Sequence, residues 1–182
     1  MTKNYNILND CRGMYEEEIF NTILEQRGIG DIKEFLRPTE KNLLPLDSLY
    51  RIEEAYNRIR QAINDKERVA VLWDTDTDGV SSGAIVTRYL DNFLFTPAVP
   101  FIDEGKKHGL KGQDLKKFMS FDLLIIVDSL DNSEKQYKEL SDNGVDVIIL
   151  DHHTINSKIP YDDYAILVSS QRSYDNPHLS GS

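Results

Sequence analysis

Hydrophobic residues in the first third of the chain recur with helical spacing. Between about residues 14 and 64, apolar positions return every three or four residues, which is the pattern of amphipathic helices. One segment carries Ile19, Ile23 and Leu24 and closes on Gly28, a residue type that commonly ends helices. A longer segment has a single apolar stripe formed by Leu49, Ile52, Ala55, Tyr56, Ile59 and Ile63. Both segments are predicted to be helices that serve packing rather than chemistry.

From residue 67 the pattern changes to short apolar runs separated by polar segments. Three runs are continuous and rich in Val and Ile, the composition of strands covered on both faces. They lie at 69–73, 123–127 and 146–150. Weaker runs at 97–102 and 164–168 predict a fourth and a fifth strand. The segments SSGAIVTRYLDNFL and NSEKQYKELSDNG between the runs are long enough for crossover helices.

Strands that alternate with helices predict an α/β fold. Because crossover connections between parallel strands are right-handed, we expect a doubly wound, mainly parallel β-sheet flanked by helices. The chain of 182 residues is long enough to bury a sizeable core. We expect a helical segment over residues 1–65 that packs on this core, followed by the α/β domain over residues 66–182.

Each of the three strong runs ends in an aspartate. Asp74 follows the first run, Asp128 the second and Asp151 the third. The carboxyl ends of parallel strands meet at one edge of a sheet, where open α/β folds bind their ligands. This edge is therefore expected to collect acidic residues from distant parts of the sequence. Further candidates follow directly after the first and third runs, namely Asp76, Asp78, His152 and His153.

The stretch LWDTDTDGVSSG at 72–83 places three like charges within five residues, and these repel one another unless a cation lies among them. Carboxylates with one or two imidazoles suit Mn²⁺ or Mg²⁺, and several carboxylates at one edge suggest two ions about 3.5–4 Å apart. The pattern also resembles the start of an EF-hand calcium loop. That loop requires Glu where this chain has Ile85, and it follows a helix rather than a strand. As an alternative, Asp128 and Asp151 could each cap the helix after their strand.

Composition and charge limit the possible partners and the cellular location of the protein. Lys and Arg number 21 against 31 Asp and Glu, which gives a net charge of −10 and argues against a wholly basic, nonspecific nucleic-acid binder. The single cysteine, Cys11, cannot form an internal disulfide. No apolar run approaches the ~18 residues of a membrane span, and the first residues lack the apolar region of a secretory signal. We expect a cytoplasmic protein without a membrane partner.

Three motifs after the predicted strands resemble those of the DHH phosphoesterase superfamily. They are DTDTDGVSSG at 74–83, VDS at 127–129 and DHH at 151–153. Within the superfamily the chain is most similar to the RecJ single-strand exonucleases, because LEQRGIGDIKEFLRP and the long helical segment before the first strand resemble the RecJ lead-in. The resemblance runs from about Leu24 to Ser182 and rests on the motifs in combination.

The resemblance assigns metal ligands to individual residues. Asp76 and Asp78 match ligands of the first motif. Asp128 matches the ligand that bridges two ions, and His152 matches the histidine ligand of the second ion. The implied cofactor is a pair of Mn²⁺ or Mg²⁺ ions.

The resemblance also implies roles for residues around the ions. Asp74 and Asp151 match positions whose carboxylates orient ligands or water. His153 matches a residue that lies close to the scissile phosphate and stabilises its charge. His108, in the segment HGL, is a candidate for substrate binding. We add Arg172 to the substrate-binding candidates as a basic residue that could contact phosphates.

The chain departs from the family pattern at two positions and at its end. Leu72 stands where family members often carry a histidine, and Leu130 stands where the second motif usually has glycine. SYDNPHLSGS at 173–182 resembles the start of the RecJ segment that leads to a further metal-binding aspartate. We therefore expect the DHH domain to be incomplete at the C-terminus.

The resemblance implies a metal-dependent exonuclease that hydrolyses single-stranded nucleic acid from 5′ to 3′, releases mononucleotides and serves DNA repair or recombination. Its partner would be single-stranded DNA, with RNA or short oligonucleotides as alternatives and with repair or replication proteins nearby. Two other functions stay open: a phosphodiesterase of oligonucleotides or cyclic dinucleotides, and a non-catalytic DHH-fold binding module. The RecJ-like helices argue against the first, and the retained ligands Asp76, Asp78, Asp128 and His152 argue against the second.

Overall fold

The computed structural model describes residues 12–42, 45–103 and 108–172. Cys11 and the segment 173–182 lie outside these residues, so the predictions that concern them stay predictions. Within the described ranges, none of the helices is long and apolar enough to cross a membrane.

The chain forms two compact units, residues 1–44 and residues 45–182. The smaller unit contains α1 (Glu16–Gln26) and α2 (Ile32–Leu36). Gly28 follows α1 in the left-handed conformation with φ 79°, as its position at the end of the helical pattern predicts. The sequence predicts that the α/β domain begins at residue 66, and this domain boundary stays a prediction.

The larger unit is built around five strands. Its elements are α3 (Ile52–Asp65), β1 (Val69–Trp73), α4 (Thr77–Asp91), β2 (Val99–Ile102), β3 (Leu123–Val127), α5 (Glu134–Asp142), β4 (Asp146–Asp151) and β5 (Ile166–Ser169). All five predicted strands are present. The two weaker runs differ most from their predicted bounds, because β2 begins two residues later and β5 is shifted by one to two residues toward the C-terminus.

The sheet is entirely parallel, and its strand order is β2-β1-β3-β4-β5. This confirms the predicted α/β fold. We expected a mainly parallel sheet, and all five of its strands are parallel. The chain adds β2 on one side of β1 and then adds β3 on the other side. Between β1 and β3 the direction of strand addition therefore reverses, and open parallel sheets bind ligands at the carboxyl end of such a point.

Two apolar cores cover the two faces of the sheet. On one face, Val71 of β1 packs in a cluster with Ala55 of α3 and Leu90 of α4. On the other face, Leu72 belongs to a cluster that includes Tyr137 of α5. Neighbouring residues of one strand thus enter different cores, which explains why the strands read as continuous apolar runs instead of alternating ones.

Gly83 of α4 lies against the indole ring of Trp73. A Cβ atom at position 83 would lie 2.3 Å from a carbon of that ring, so α4 can approach β1 this closely only with glycine there. Alanine in a helix is usually more favourable than glycine by about 1 kcal/mol. We expect Gly83→Ala to have the opposite sign and to lower the free energy of unfolding by about 1–3 kcal/mol, because the ring must shift. Urea unfolding measures this change.

Gly30→Ala is the control for this experiment. Among the described residues, no heavy atom lies within 4 Å of a Cβ built at Gly30, so its free energy of unfolding should change by less than about 0.5 kcal/mol. A Gly83→Ala protein as stable as the wild type would contradict the close packing of α4 on β1.

Candidate metal centre

The carboxyl ends of β1, β3 and β4 lie side by side. Trp73 at the end of β1 pairs with Val127 of β3, and Val127 pairs with Leu150 of β4. The residues that follow these positions therefore meet at one edge of the sheet. All seven acidic and histidine residues that the sequence places after the strong strands belong to this edge: Asp74, Asp76, Asp78, Asp128, Asp151, His152 and His153.

Asp128 lies at the centre of the edge and is completely buried. Its backbone has φ 52°, a left-handed conformation that residues other than glycine adopt infrequently. Its N–H donates to the carbonyl oxygen of Leu150 at 3.0 Å, which ties the residue to β4. Within the described part of the chain, neither carboxylate oxygen has a hydrogen-bond partner. Because buried polar groups are almost always satisfied, this carboxylate points to a missing ligand.

Burial, with nearby negative charges, makes the carboxylate of Asp128 more costly to ionise. Burial raises its pKa to about 6, with further contributions from the negative charges of Asp78 and Asp151. The positive charge of a bound cation would reverse this effect. A divalent cation is therefore the group that best completes this environment.

His152 approaches the same carboxylate. Its Nε2 atom lies 3.0 Å from Oδ1 of Asp128 and 3.7 Å from Oδ2 of Asp78. The shorter contact lacks the alignment of a hydrogen bond, since Oδ1 of Asp128 stays without a donor among the described residues. Two ligands that bind an ion at about 2.1 Å and at right angles lie about 3 Å apart. The pair is spaced as neighbouring ligands of one cation.

The first turn of α4 supplies two more carboxylates. Asp76 is the N-cap of this helix, and its Oδ1 accepts the N–H of Gly79 at 3.0 Å. A Cβ at Gly79 would lie 2.5 Å from the carbonyl oxygen of Asp74, so glycine is needed for the helix to begin this close to β1. Asp78 follows in the same turn. Its carboxylate faces His152, as the distance above shows.

Asp128 is shared by two groups of potential ligands. Oxygen atoms of Asp76, Asp78 and Asp128 lie within 4.8 Å of one another. Atoms of Asp128, His152 and His153 form a second group within the same distance. Carboxylate oxygens with imidazole nitrogens suit Mn²⁺ or Mg²⁺. Asp128 is the residue that these two groups have in common.

Asp151 is occupied by hydrogen bonds. Its Oδ2 accepts the N–H of Leu130 at 2.7 Å, and its Oδ1 accepts the N–H of His153 at 2.6 Å and lies 2.8 Å from the ring Nδ1 of His153. The hydrogen bond to Asp151 is the main cause that raises the pKa of His153 to about 9. Asp151 therefore fixes the orientation of a protonated His153 ring and the backbone two residues after Asp128.

Asp74 and His108 form a second pair of an aspartate and a histidine. Oδ2 of Asp74 lies 3.0 Å from Nδ1 of His108, and about half of the His108 side chain is exposed. The rings of His108 and His153 are 5.8 Å apart between centroids. The structure thus brings His108 to the same edge as the strand-end residues.

Asp103 and Ser129 were not among the site residues predicted from the sequence. Asp103 is buried, and its carboxylate accepts hydrogen bonds from the hydroxyl of Ser129, from the N–H of Gly109 and from the side-chain amide of Gln113. Although Asp103 groups with Asp74 and His108 as potential ligands, its donors saturate it, which indicates a structural role. The signal was present, because Asp103 follows β2 just as Asp74 follows β1.

Arg172 contacts an acidic residue and an aromatic ring, and Leu72 lies in the apolar core. The Nη1 atom of Arg172 lies 2.7 and 2.9 Å from the two carboxylate oxygens of Asp162, and its guanidinium lies over the ring of Tyr50 at 5.7 Å. A role of Arg172 in substrate binding stays a prediction. Leu72 is fully buried in the core, where its side chain completes the apolar packing beneath the site.

A family model described as the DHH family, N-terminal domain, matches residues 68–182. This range covers more than half of the chain and includes every residue of the candidate metal centre. The chain belongs to the DHH family.

Two curated proteins are similar in sequence to this DHH-family chain. The single-stranded-DNA-specific exonuclease RecJ of Thermus thermophilus is 34% identical over 115 residues, which cover 62% of this chain and 17% of RecJ. The SPbeta prophage protein YorK of Bacillus subtilis is 28% identical over 170 residues, which cover 92% of this chain and 29% of YorK. The DHH-family chain therefore spans less than a third of the length of these relatives.

Solved DHH-family structures share the fold. A crystal structure of RecJ from Thermus thermophilus in complex with Mn²⁺ matches with a TM-score of 0.66 and 27% identity, over 87% of this chain and 22% of that one. A crystal structure of exonuclease RecJ bound to manganese matches with a TM-score of 0.65 and 28% identity, over 76% and 36% of the two chains.

We expect Asp128→Asn to stabilise the metal-free DHH-family chain at pH 7. The wild-type carboxylate, with its pKa raised to about 6, is ionised there at a cost that the neutral amide avoids. A pKa raised above the unfolded value destabilises the fold as pH rises through the folded pKa, so the difference should vanish near pH 4. At pH 7 the gain should be about 1–3 kcal/mol. Urea unfolding in the presence of a chelator measures it.

Asp142→Asn is the matched control, because the Asp142 side chain is 61% exposed and pairs with Lys138. It should change the free energy of unfolding by less than about 0.5 kcal/mol at either pH. A metal-free Asp128→Asn protein that is less stable than the wild type at pH 7 would contradict the unsatisfied state of this carboxylate.

Proposed function

We propose that the chain carries the metal centre of a single-strand-specific exonuclease that hydrolyses DNA from its 5′ end. The observation that carries the proposal is the buried Asp128 carboxylate, which lacks a donor among the described residues and lies between two ligand groups. The RecJ relatives support the substrate, since their names describe single-stranded-DNA-specific exonucleases. The two solved RecJ structures with manganese support the metal.

Two divalent ions, Mn²⁺ first and Mg²⁺ as the alternative, would be held by the two groups of potential ligands. Asp76, Asp78 and Asp128 would hold one ion, and Asp128 with His152 would hold the other. Such ions supply Lewis-acid chemistry, which lowers the pKa of an attacking water and offsets charge on the phosphoryl oxygens. The chain's own part is to fix the ligands in advance, which the turn of α4 and the conformation of Asp128 achieve.

His153 would contact the phosphate undergoing hydrolysis. Asp151 occupies its Nδ1 atom, so its Nε2 atom is the ring nitrogen left for a substrate. Without bound metal, the hydrogen bond to Asp151 raises the pKa of His153 to about 9. The ring therefore favours the protonated form, in which Nε2 can donate a hydrogen bond to a phosphoryl oxygen. This charge would stabilise the transition state as negative charge grows.

Asp74, Asp151 and His108 would help to position groups around the phosphate that undergoes hydrolysis. Asp151 orients His153 through hydrogen bonds to its backbone and its ring, and a carboxylate that fixes one ring nitrogen determines which nitrogen faces the substrate. Asp74 lies 3.0 Å from Nδ1 of His108. His108 would contact the strand close to His153, since the two rings are 5.8 Å apart.

Degradation of labelled oligonucleotides tests the proposal. With Mn²⁺ and a single-stranded DNA of about 30 nucleotides, we expect release of labelled mononucleotide from the 5′-labelled strand at once. The 3′-labelled strand should instead shorten gradually, because removal starts at the other end. Gel analysis at successive times measures both.

Two variants serve as controls. Asp128→Ala should abolish release because it removes the shared ligand, and Asp142→Ala, at the exposed end of α5, should leave the rate unchanged. Preferential hydrolysis of dinucleotides over the long strand would favour the oligonucleotide phosphodiesterase instead. Binding of Mn²⁺ without hydrolysis of any of these DNA substrates would favour the non-catalytic module.

A further inference from the structure

A groove leaves the metal centre along the start of α5. Its volume is about 610 Å³, within the range of sites that bind small molecules or parts of larger ones. Its lining includes His108, Lys111, Leu130, Ser133, Glu134 and Lys135. His108 belongs both to this lining and to the edge that carries the metal ligands, so the groove adjoins the metal centre.

One wall of the groove is held rigidly at two points. At the first, Gly109 N–H donates to Asp103 at 3.0 Å and to the hydroxyl of Ser129 at 2.7 Å. Gly109 has φ 64°, and a Cβ there would lie 2.5 Å from the carbonyl oxygen of Ser129. The segment therefore presses against the residue that follows Asp128, and only glycine allows this approach.

Asp131 provides the second point. Its Oδ2 accepts the N–H of Lys111 at 2.7 Å and the hydroxyl of Ser133 at 2.6 Å, while its Oδ1 accepts the hydroxyl of Tyr137 at 2.9 Å. The Asp131 carboxylate is thus used to join the wall to α5. Segment 108–111 is fixed at both ends, so its outward side chains are displayed on an ordered surface.

The charged side chains of the groove are two lysines and two acidic residues, beside His108. Lys111 and Lys135 are exposed, and in the described residues neither ammonium lies within 4 Å of a carboxylate. Asp131 and Glu134 are the acidic side chains of the lining, and the oxygens of Asp131 already accept hydrogen bonds. Lys111 and Lys135 are therefore the lysines of the lining that can contact phosphates, in a chain with net charge −10.

We propose that the groove binds the sugar–phosphate backbone of the strand next to the scissile bond, with Lys111 and Lys135 contacting successive phosphates. This inference rests on the proposed nuclease function and names where its substrate leaves the metal centre. Contact with the backbone is favoured over contact with bases, because His108 is the sole aromatic ring among the lining residues that the structure describes. Base-stacking sites use several exposed aromatic rings.

Binding of a strand that cannot be degraded tests the groove. The probe is a fluorescein-labelled oligothymidylate of about 12 nucleotides with a phosphorothioate backbone, and anisotropy in Mn²⁺ buffer measures its affinity at several salt concentrations. Lys111→Ala and Lys135→Ala should each weaken binding about 3- to 10-fold. Each should also reduce the slope of log K against log salt by about 0.7, the value for one lost phosphate contact on a single strand.

The groove offers two matched controls on α5. Lys138→Ala removes a lysine one turn further along the helix, where its ammonium pairs with Asp142 at 3.0 Å, and should leave both affinity and slope unchanged. Glu134→Gln removes the opposing negative charge and should tighten binding. Circular dichroism and Mn²⁺ affinity should be unaltered in all four variants.

The outcomes separate the groove from the proposed function. One outcome is that the wild type binds the probe while the Lys111→Ala and Lys135→Ala variants bind it with the same affinity and the same slope. In that case the proposal that the groove binds the strand is wrong, and the nuclease proposal stands. If Lys138→Ala weakens binding as much as Lys135→Ala, the effect is one of overall charge and the groove is also wrong. Absence of binding by the wild type at low salt would overturn both proposals.

Discussion

The candidate site depends on one unfavourable interaction, the burial of the Asp128 carboxylate beside other negative charges. A buried ion without a hydrogen-bond donor costs several kcal/mol in a protein interior. The fold tolerates this cost because the surrounding sheet determines the position of Asp128: β1 and β4 lie on either side of β3, and Asp128 N–H is bonded to Leu150. A carboxylate held in this way is prepared for a cation before the cation arrives.

The order of the strands explains why the charges gather at this place. Since β2 and β3 lie on opposite sides of β1, the chain leaves the ends of β1 and β3 in different directions and opens a crevice between them. Gly79 and Gly83 then let α4 begin and run close to β1, as their contacts with Asp74 and Trp73 show. The apolar cores thereby determine where the polar groups meet.

The sequence allowed much of this arrangement to be predicted. Continuous apolar runs identified the buried strands, and the aspartates after them identified the edge, because strand direction alone brings such residues together. The left-handed backbone of Asp128 could not be predicted, since it follows from packing between β3 and β4. Asp103 was missed because β2 is a weak, proline-bounded run. Asp131 was missed because its partner Lys111 is 20 residues away in the sequence.

Counting bound Mn²⁺ tests the account most directly. Electron paramagnetic resonance detects free Mn²⁺, so a titration of the 182-residue chain yields both stoichiometry and affinity without requiring activity. The account predicts two ions per chain, with loss of tight binding in Asp128→Ala and unchanged binding in Asp142→Ala. Binding by the wild type that is no stronger than binding by Asp128→Ala would contradict it, because the buried carboxylate would then have no cation to hold.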